Sequence, residues 1–467
     1  MFDRVPYSYP PAFAMNTLRQ LRGGVNKQRV KIQADISTSA PNNISNFRLP
    51  ISALVNFNSL CLFFKASGTG TSSVHAPRYS STFIQRLQVS FNGVSVSLIN
   101  DYAHAYNIFA DLHNKGKERA YDESLDPSVN YSEGDGSSGL VAISADSSVT
   151  GTNSQMSNQQ FVVNNWLGFI NSLFSQIVNT DLTGECQISI SWASPKDCLG
   201  LLAGDSFANE SYTISDLYMT AEIYAFTDND IYRAMADKDE IHYGFNNYIC
   251  TRFPKIAKTA GINVVQYISS PSVDMILGTA LLDETQPSTF VNYWGGGDGS
   301  TTTQLGSQAE ILADPIGKVD DAGSKSYGDA FNNVKSMIRN LSHLDKSAFY
   351  LNNKMLHYSA LNSSEIHQGN LTALGDLNID VSRNSYHEGA LSIYHFLKYY
   401  AFHAETLKLN NPEGWYGSGI NTSGSSLSIN WVCTFQGASN TLQIVPFMVI
   451  KESRIMKVGR GRQISIE

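Results

Sequence analysis

The chain's ten histidines and 41 carboxylates are its raw material for acid–base or metal chemistry. In "IYHFLKYYAFHAE", His395 and His403 lie eight residues apart, so both face the same side of an extended strand, and Glu405 shares their parity. Two imidazoles and a carboxylate can ligate a metal, but the aromatic run around them points to packing. "DNDIYRAMADKDE" carries Asp228, Asp230, Asp237 and Asp239 without the glycine that a calcium-binding loop needs for its sharp turn. It reads as a charged helix with its flanks. "GGGDG" (295–299) has no lysine and no strand-to-helix setting, so it reads as a loop and not as a phosphate cradle. Glu365–His367 and His387–Glu388 lack zinc spacing, and no G-x-S-x-G nucleophile elbow occurs. Glycosidase-type carboxylates come from distant strands, which spacing does not reveal. Cys61, Cys186, Cys198, Cys250 and Cys433 are odd in number and never spaced as metal pairs, which fits a reducing compartment. No catalytic residue, cofactor or metal ligand is assigned, and the expectation is a protein that is not an enzyme.

The charge pattern offers a different chemistry. Residues 1–31 carry Arg4, Arg19, Arg22, Lys27, Arg29 and Lys31 against Asp3, a balance of +5. Residues 451–467 carry Lys451, Arg454, Lys457, Arg460 and Arg462 against Glu452 and Glu467, a balance of +3. With a total of −8, the stretch between them holds −16. Basic ends on an acidic body suit contact with something anionic. The acidic total argues against a dedicated nucleic-acid-binding protein. Charged residues make up only 16% of the chain, against roughly 25% in ordinary proteins, beside 23 Tyr and 23 Phe. That composition fits both β-rich structure and surface covered by partners. The first residues, "MFDRVPYSYPPAFAM", show no signal-peptide core, and no run of about 18 apolar residues occurs.

The elements that must position these groups are strands. "NFRLPISALVNF", "LCLFFKAS", "ECQISISWAS", "LYMTAEIYAF", "LSINWVCTFQ" and "LQIVPFMVI" are short, rich in apolar, β-branched and aromatic residues, and bounded by Gly, Ser, Asn and Pro. Few helices are expected: 101–112 after an Asp cap, 228–240 after another, and 271–284 with Ser270 as cap and Pro271 in the first turn. Polar stretches 114–160 and 285–330 read as long loops, of the kind that are either functional or disordered.

One pattern occurs twice. "LQVSFNGVSV" (87–96) reads as a hairpin around Asn92-Gly93, and "AFYLNNKMLHY" (348–358) as its counterpart around Asn352-Asn353. Each runs into a capped helical segment, 101–112 or 362–374, and a pair of strands follows later in each half. This order implies a duplicated β-sandwich, with jelly-roll halves favoured over the immunoglobulin type. The expected division is a basic arm over 1–30, a first jelly roll over 31–230, a linker helix over 231–245, a second jelly roll over 246–453 and a basic tail over 454–467.

Taken in order, "ISDLYMTAEIYAFTDNDIYRAMADK", "VVQYISSPSVDMILGTALLDE", "FYLNNKMLHY" and "TLQIVPFMVIKESRIMKV" resemble the double jelly-roll major capsid proteins of tailless double-stranded DNA viruses, the polinton-like virus, virophage and adenovirus-like lineage. Asn353 stands where that family's hairpin usually has Gly. The resemblance implies an all-β chain of two eight-stranded jelly rolls that forms homotrimers with a pseudo-hexagonal outline. These capsomers would tile an icosahedral shell with neighbouring capsomers, pentons and minor capsid proteins, and the protein would be located in the virion. It also implies inward-facing termini, through which Arg4, Arg19, Arg22, Lys27, Arg29, Lys31, Arg454, Lys457, Arg460 and Arg462 would meet genome or an internal membrane. A lectin-like binding module or adhesin, a single-jelly-roll capsid protein and a β-sandwich enzyme are the alternatives.

Overall fold

The computed structural model describes residues 25–51, 53–69, 74–75, 80–113, 159–172, 177–198, 200–201, 211–226, 240–257, 260–282, 344–362, 365–366, 369–370, 373, 399–408, 419–424, 427–435, 443–459 and 461–467. The first half contributes β1 (Val25–Gln33), β2 (Ile44–Arg48), β3 (Leu54–Thr69), β4 (Ile84–Phe91), β5 (Val94–Ile99), β6 (Gln159–Val163), β7 (Cys186–Trp192) and β8 (Ser211–Phe226). The second contributes β9 (Glu240–Arg252), β10 (Ile262–Ile268), β11 (Val273–Leu282), β12 (Leu344–Leu351), β13 (Lys354–Met355), β14 (Tyr399–Thr406), β15 (Leu427–Phe435) and β16 (Gln443–Gly459). A last strand, β17 (Gln463–Ile466), folds back along β16.

The sheets of the first half run β1-β8-β3-β6 and β2-β7-β4-β5. Those of the second run β9-β16-β11-β14 and β10-β15-β12-β13. Counted from one in each half, both orders are 1-8-3-6 and 2-7-4-5, and every pairing is antiparallel. That is the jelly-roll order, two sheets wound by Greek-key connections, and the chain contains it twice.

The two hairpins turn as their residues require. Asn92 and Gly93 have φ of 52° and 81°, and Asn352 and Asn353 have 47° and 64°. Positive φ at both central residues matches the turn to the strands' twist. Each first Asn donates its N–H to the seventh strand's side of the sheet, Asn92 to the Glu185 carbonyl and Asn352 to that of Ser428. Asn352 also accepts from the Ser428 N–H through its side chain.

Helix α1 (Tyr102–His113) follows the first hairpin. The side chain of Asp101 is not its cap: the carboxylate accepts from Gln85 at 2.7 Å and meets Arg252, while the backbone carbonyl takes the N–H groups of His104 and Ala105. After the second hairpin, Asn362 and Glu365 bond reciprocally, side chain to backbone N–H, at 3.1 and 2.9 Å. That is a capping box opening a helical turn. Shorter helices are α2 (Phe169–Ser172), α3 (Thr180–Thr183) and α4 (Pro195–Cys198).

Four expectations change. Residues 271–284 hold strand β11, not a helix. Val273–Ala280 are all buried, and a strand covered on both faces has no period-two signature. The basic arm ends sooner than residue 30, because β1 begins at Val25 and pairs with β8 from Phe226 inward; Ile32 reaches the core while Lys27, Arg29 and Lys31 take the other face. Residues 454–467 are largely sheet, since β16 continues through Gly459 and β17 pairs with it. Of the expected linker helix, residues 231–239 lie outside the described residues, while 240–245 are strand and open β9, which pairs with β16 from Glu240 onward; both long loops lie outside the described residues, apart from residues 159–160 in β6.

Two apolar cores result. Sheet β9-β16-β11-β14 lies between them. Its Met275, Leu277, Phe447 and Val449 join the first-half core, whereas Ile276, Met448 and Ile450 join the second. Among the described residues no helix is long and apolar enough to cross a membrane.

Candidate functional site: the seam between the halves

The first half meets the outer face of sheet β9-β16-β11-β14 through helices α1 and α2, its hairpin and Asp197 of α4. Phe169 of α2 meets Phe245 edge-on at 4.9 Å between ring centroids, and Phe109 of α1 meets Tyr248 at 5.1 Å. His104 of α1 lies 6.0 Å from Phe447. Buried polar groups fix the register. Ser97 Oγ donates to Asn247 Oδ1 at 2.8 Å, and Asn247 Nδ2 donates to Glu452 Oε1 at 2.8 Å. The Arg454 guanidinium reaches the same oxygen at 2.6 Å. Ser172 Oγ accepts from the Asn246 N–H at 2.8 Å.

Arg252, at the end of β9, ties down two carboxylates of the first half. Its Nε is 2.9 Å from Asp101 and its Nη2 is 3.0 Å from Asp197. Asp197 also meets His104 Nε2 at 3.2 Å and accepts from Ser194 Oγ at 3.0 Å. Charges out of water stay ionised only when paired in this way. Opposite, the C-terminal turn rests on the first hairpin: Asn92 Nδ2 donates to the Arg462 carbonyl at 3.3 Å, and Arg462 Nε donates to the Asp181 carbonyl at 3.1 Å. Gly184 leaves room for this, since a Cβ there would stand 3.0 Å from Asn92 Oδ1.

A second polar cluster lies inside the second half. Trp431 Nε1 donates to Ser347 Oγ at 2.9 Å, and that hydroxyl is 2.8 Å from His403 Nδ1. His403 Nε2 and His357 Nε2 both lie 2.8 Å from Glu405 Oε1. The ionised Glu405 carboxylate can only accept, so the His403 proton sits on Nε2 facing it, and Nδ1 accepts from the Ser347 hydroxyl, which in turn accepts from the Trp431 N–H. Burial, partly offset by Glu405, holds the His403 imidazole below its ordinary pKa. Burial pushes the Glu405 carboxyl up, but the hydrogen bonds and charges of the two histidines outweigh it and leave the group below the usual carboxylate range. His403, expected to pack among aromatics, is buried against the Phe349 ring and also hydrogen-bonds Glu405, the residue that shares its strand parity. His395 lies outside the described residues, and among these no group of three such side chains is arranged to hold a metal ion.

The basic candidates separate. Arg4, Arg19, Arg22 and Arg460 lie outside the described residues. Lys27 pairs with Glu222 at 2.8 Å, Arg29 donates to Cys61 Sγ at 3.5 Å, and Lys31 stands 3.9 Å over the Tyr218 ring. Arg454 is bound to Glu452, Lys457 to Glu467 at 2.5 Å, and Arg462 to Asp181. The first three lie on the first half's sheet and the next two on the second's. Arg252, Asp101, Asp197, Asn247 and Glu452, which fix the seam, carry no spacing signal, because their contacts with one another span 55 to 205 residues.

The duplicated sheets differ in cover. In the second half, β11 is buried on both faces over Val273–Ala280; in the first, the equivalent β3 alternates buried and half-buried residues over Leu60–Ala66. The outer face of sheet β1-β8-β3-β6, where Phe63 stacks on Tyr218 at 5.0 Å, is thus the counterpart of the face closed by the seam.

The fold has known counterparts. The crystal structure of PBCV-1 VP54, fitted into a reconstruction of the virophage Sputnik, superposes with a TM-score of 0.57 at 13% identity, over 95% of this chain and 97% of that one. A chain of the PBCV-1 virus capsid gives 0.58 at 12% identity, over 94% and 96%. The faustovirus major capsid protein gives 0.52 at 10% identity, over 94% and 91%. The chain has the double jelly-roll fold of a viral capsid protein. No family model and no curated protein matches the sequence, so the likeness is one of fold, carried at identities that leave few side chains in common.

Proposed function

We propose that the chain is a major capsid protein that trimerises into pseudo-hexagonal capsomers and tiles an icosahedral virion shell. The observation that carries this reading is the pair of unmatched surfaces. Within the chain, the first half's helices and hairpin close over the outer face of the second half's 1-8-3-6 sheet. The first half's own 1-8-3-6 sheet has a half-exposed outer face, and the second half has its own hairpin and capped turn beyond β13. A neighbour's second half can close over the first half's sheet as the seam does within the chain. Such head-to-tail contacts close into a ring, and three chains supply six jelly rolls. In this reading the role is structural, not enzymatic. Pentons and minor capsid proteins complete the shell, and the termini with Arg4, Arg19 and Arg22 face inward to genome or membrane, in contacts that weaken with salt.

Sedimentation and electron microscopy of the purified protein test this. The expected species has three times the chain mass of 51.3 kDa and a six-lobed outline. A stable monomer at micromolar concentration overturns the reading.

A further inference from the structure

Seven large apolar side chains are exposed among the described residues; Val94 and Tyr358 lie at the two hairpins, and the other five gather at one topological place. Ile44 opens β2. Ile36 lies beside it, where the chain runs antiparallel to β2 through the Ala34–Phe47 bridge and the Asp35 N–H bond to the Asn46 carbonyl. Ile51 is three residues past the strand's end. Val265 and Tyr267 project from β10. These five are 42–69% exposed. β2 and β10 are the same strand of the duplicated fold: each is second in its half and stands at the end of the 2-7-4-5 sheet.

We infer that the β2 and β10 edges are the contact by which one oligomer of this chain meets the next, a second copy being the partner. This rests on the reading that the chain assembles. Three observations favour a copy of this chain over a foreign partner. The patch recurs at the same position in both halves, as a ring of quasi-equivalent lobes needs and a single unrelated partner does not. The second-half patch sits in an uncharged run from Thr259 to Val273, so it offers no charge for a polar or anionic partner to recognise. The third is separation from the ring contact. The proposed ring closes through the 1-8-3-6 sheets, whereas these edges belong to the other sheet and stay available once it has closed. Few side chains take part at each edge, so one contact is weak and becomes effective only when many act together.

The test is the full-length chain carrying Ile44→Asp and Tyr267→Asp, with Ile44→Ser and Tyr267→Ser as a milder second variant, compared with wild type by sedimentation for the oligomer and by electron microscopy for shells. Both positions are exposed, and an unchanged melting temperature will show that the fold is kept. The expected result is an intact trimer for both variants, with the concentration needed for shells raised at least tenfold in the Asp variant and less in the Ser variant. Shell formation at the wild-type concentration overturns the inference. Loss of the trimer also overturns it, by placing these edges in the ring contact, but leaves the proposed function standing. A wild type that forms trimers and nothing larger overturns the inference alone, and a monomeric wild type overturns both.

Discussion

Arg252 is the side chain on which most of the seam's charge converges. Removing one partner of a buried ion pair costs about 3–5 kcal/mol because the other charge is left unpaired. Arg252 is partly solvated, so Arg252→Ala is expected to cost about 2 kcal/mol, read as a lowered melting temperature. Lys457→Ala, which breaks a pair open to water, is expected to leave the melting temperature close to that of wild type. The Trp431–Ser347–His403–Glu405–His357 chain predicts a pH dependence. His403 has its folded-state pKa below the ordinary 6.5, so the unfolded chain takes up that proton first and stability falls as pH drops below 6.5. Glu405 is depressed below 4.5, so its contribution is complete above that value and is lost as pH falls through the lower folded-state pKa. Melting temperatures from pH 8 to 3 check this; His403→Asn is expected to remove the upper part of the decline. Parity along one strand linked His403 to Glu405, but nothing in the sequence points to His357, 48 residues from the carboxylate it meets. The same distance problem hid Arg252.

At the scale of elements, residues that act on their own neighbours were readable. The Asn-Gly and Asn-Asn turns, the strands around "ISISW" and a cap at the start of 362–374 are local chemistry, and the structure holds them as expected, with Glu365 completing the cap that Asn362 begins. Strand β11 was misread because its environment is not local. Its residues face a different core on each side, so the alternation that marks a half-buried strand is absent, and Ser-Pro before an apolar run imitates a helix start. Gly278, in the middle of this strand, exposes the packing. A Cβ there would stand 2.6 Å from the Trp431 ring. Gly278→Ala is expected to cost about 1–3 kcal/mol through overpacking and to disturb Trp431 fluorescence. Gly93→Ala meets no atom within 4 Å, so its cost is confined to the positive φ of 81°, roughly 1–2 kcal/mol.

The whole molecule is more unified than a tandem duplication suggests. One apolar cluster includes Phe57 and Trp192 of the first half together with Phe245, Phe447 and Val449 of the second. Neither half can open without exposing the seam, so calorimetry of the chain is expected to show one unfolding transition; two separate transitions would contradict the shared core. The double architecture was legible from the repeated order of hairpin, capped turn and strand pair. The asymmetry between its sheets was not, because burial of the second sheet depends on which surface of the first half folds over it. The position of β16 also bears on how the protein is made. It is synthesised after both of its neighbours, yet it lies inside its sheet with β9 on one side and β11 on the other. Until residue 459 has emerged, the nascent second half holds an open slot with unpaired backbone on both flanks. Products that stop before that point will therefore carry a sticky, incomplete sheet, and only a chain translated past β16 can shut it.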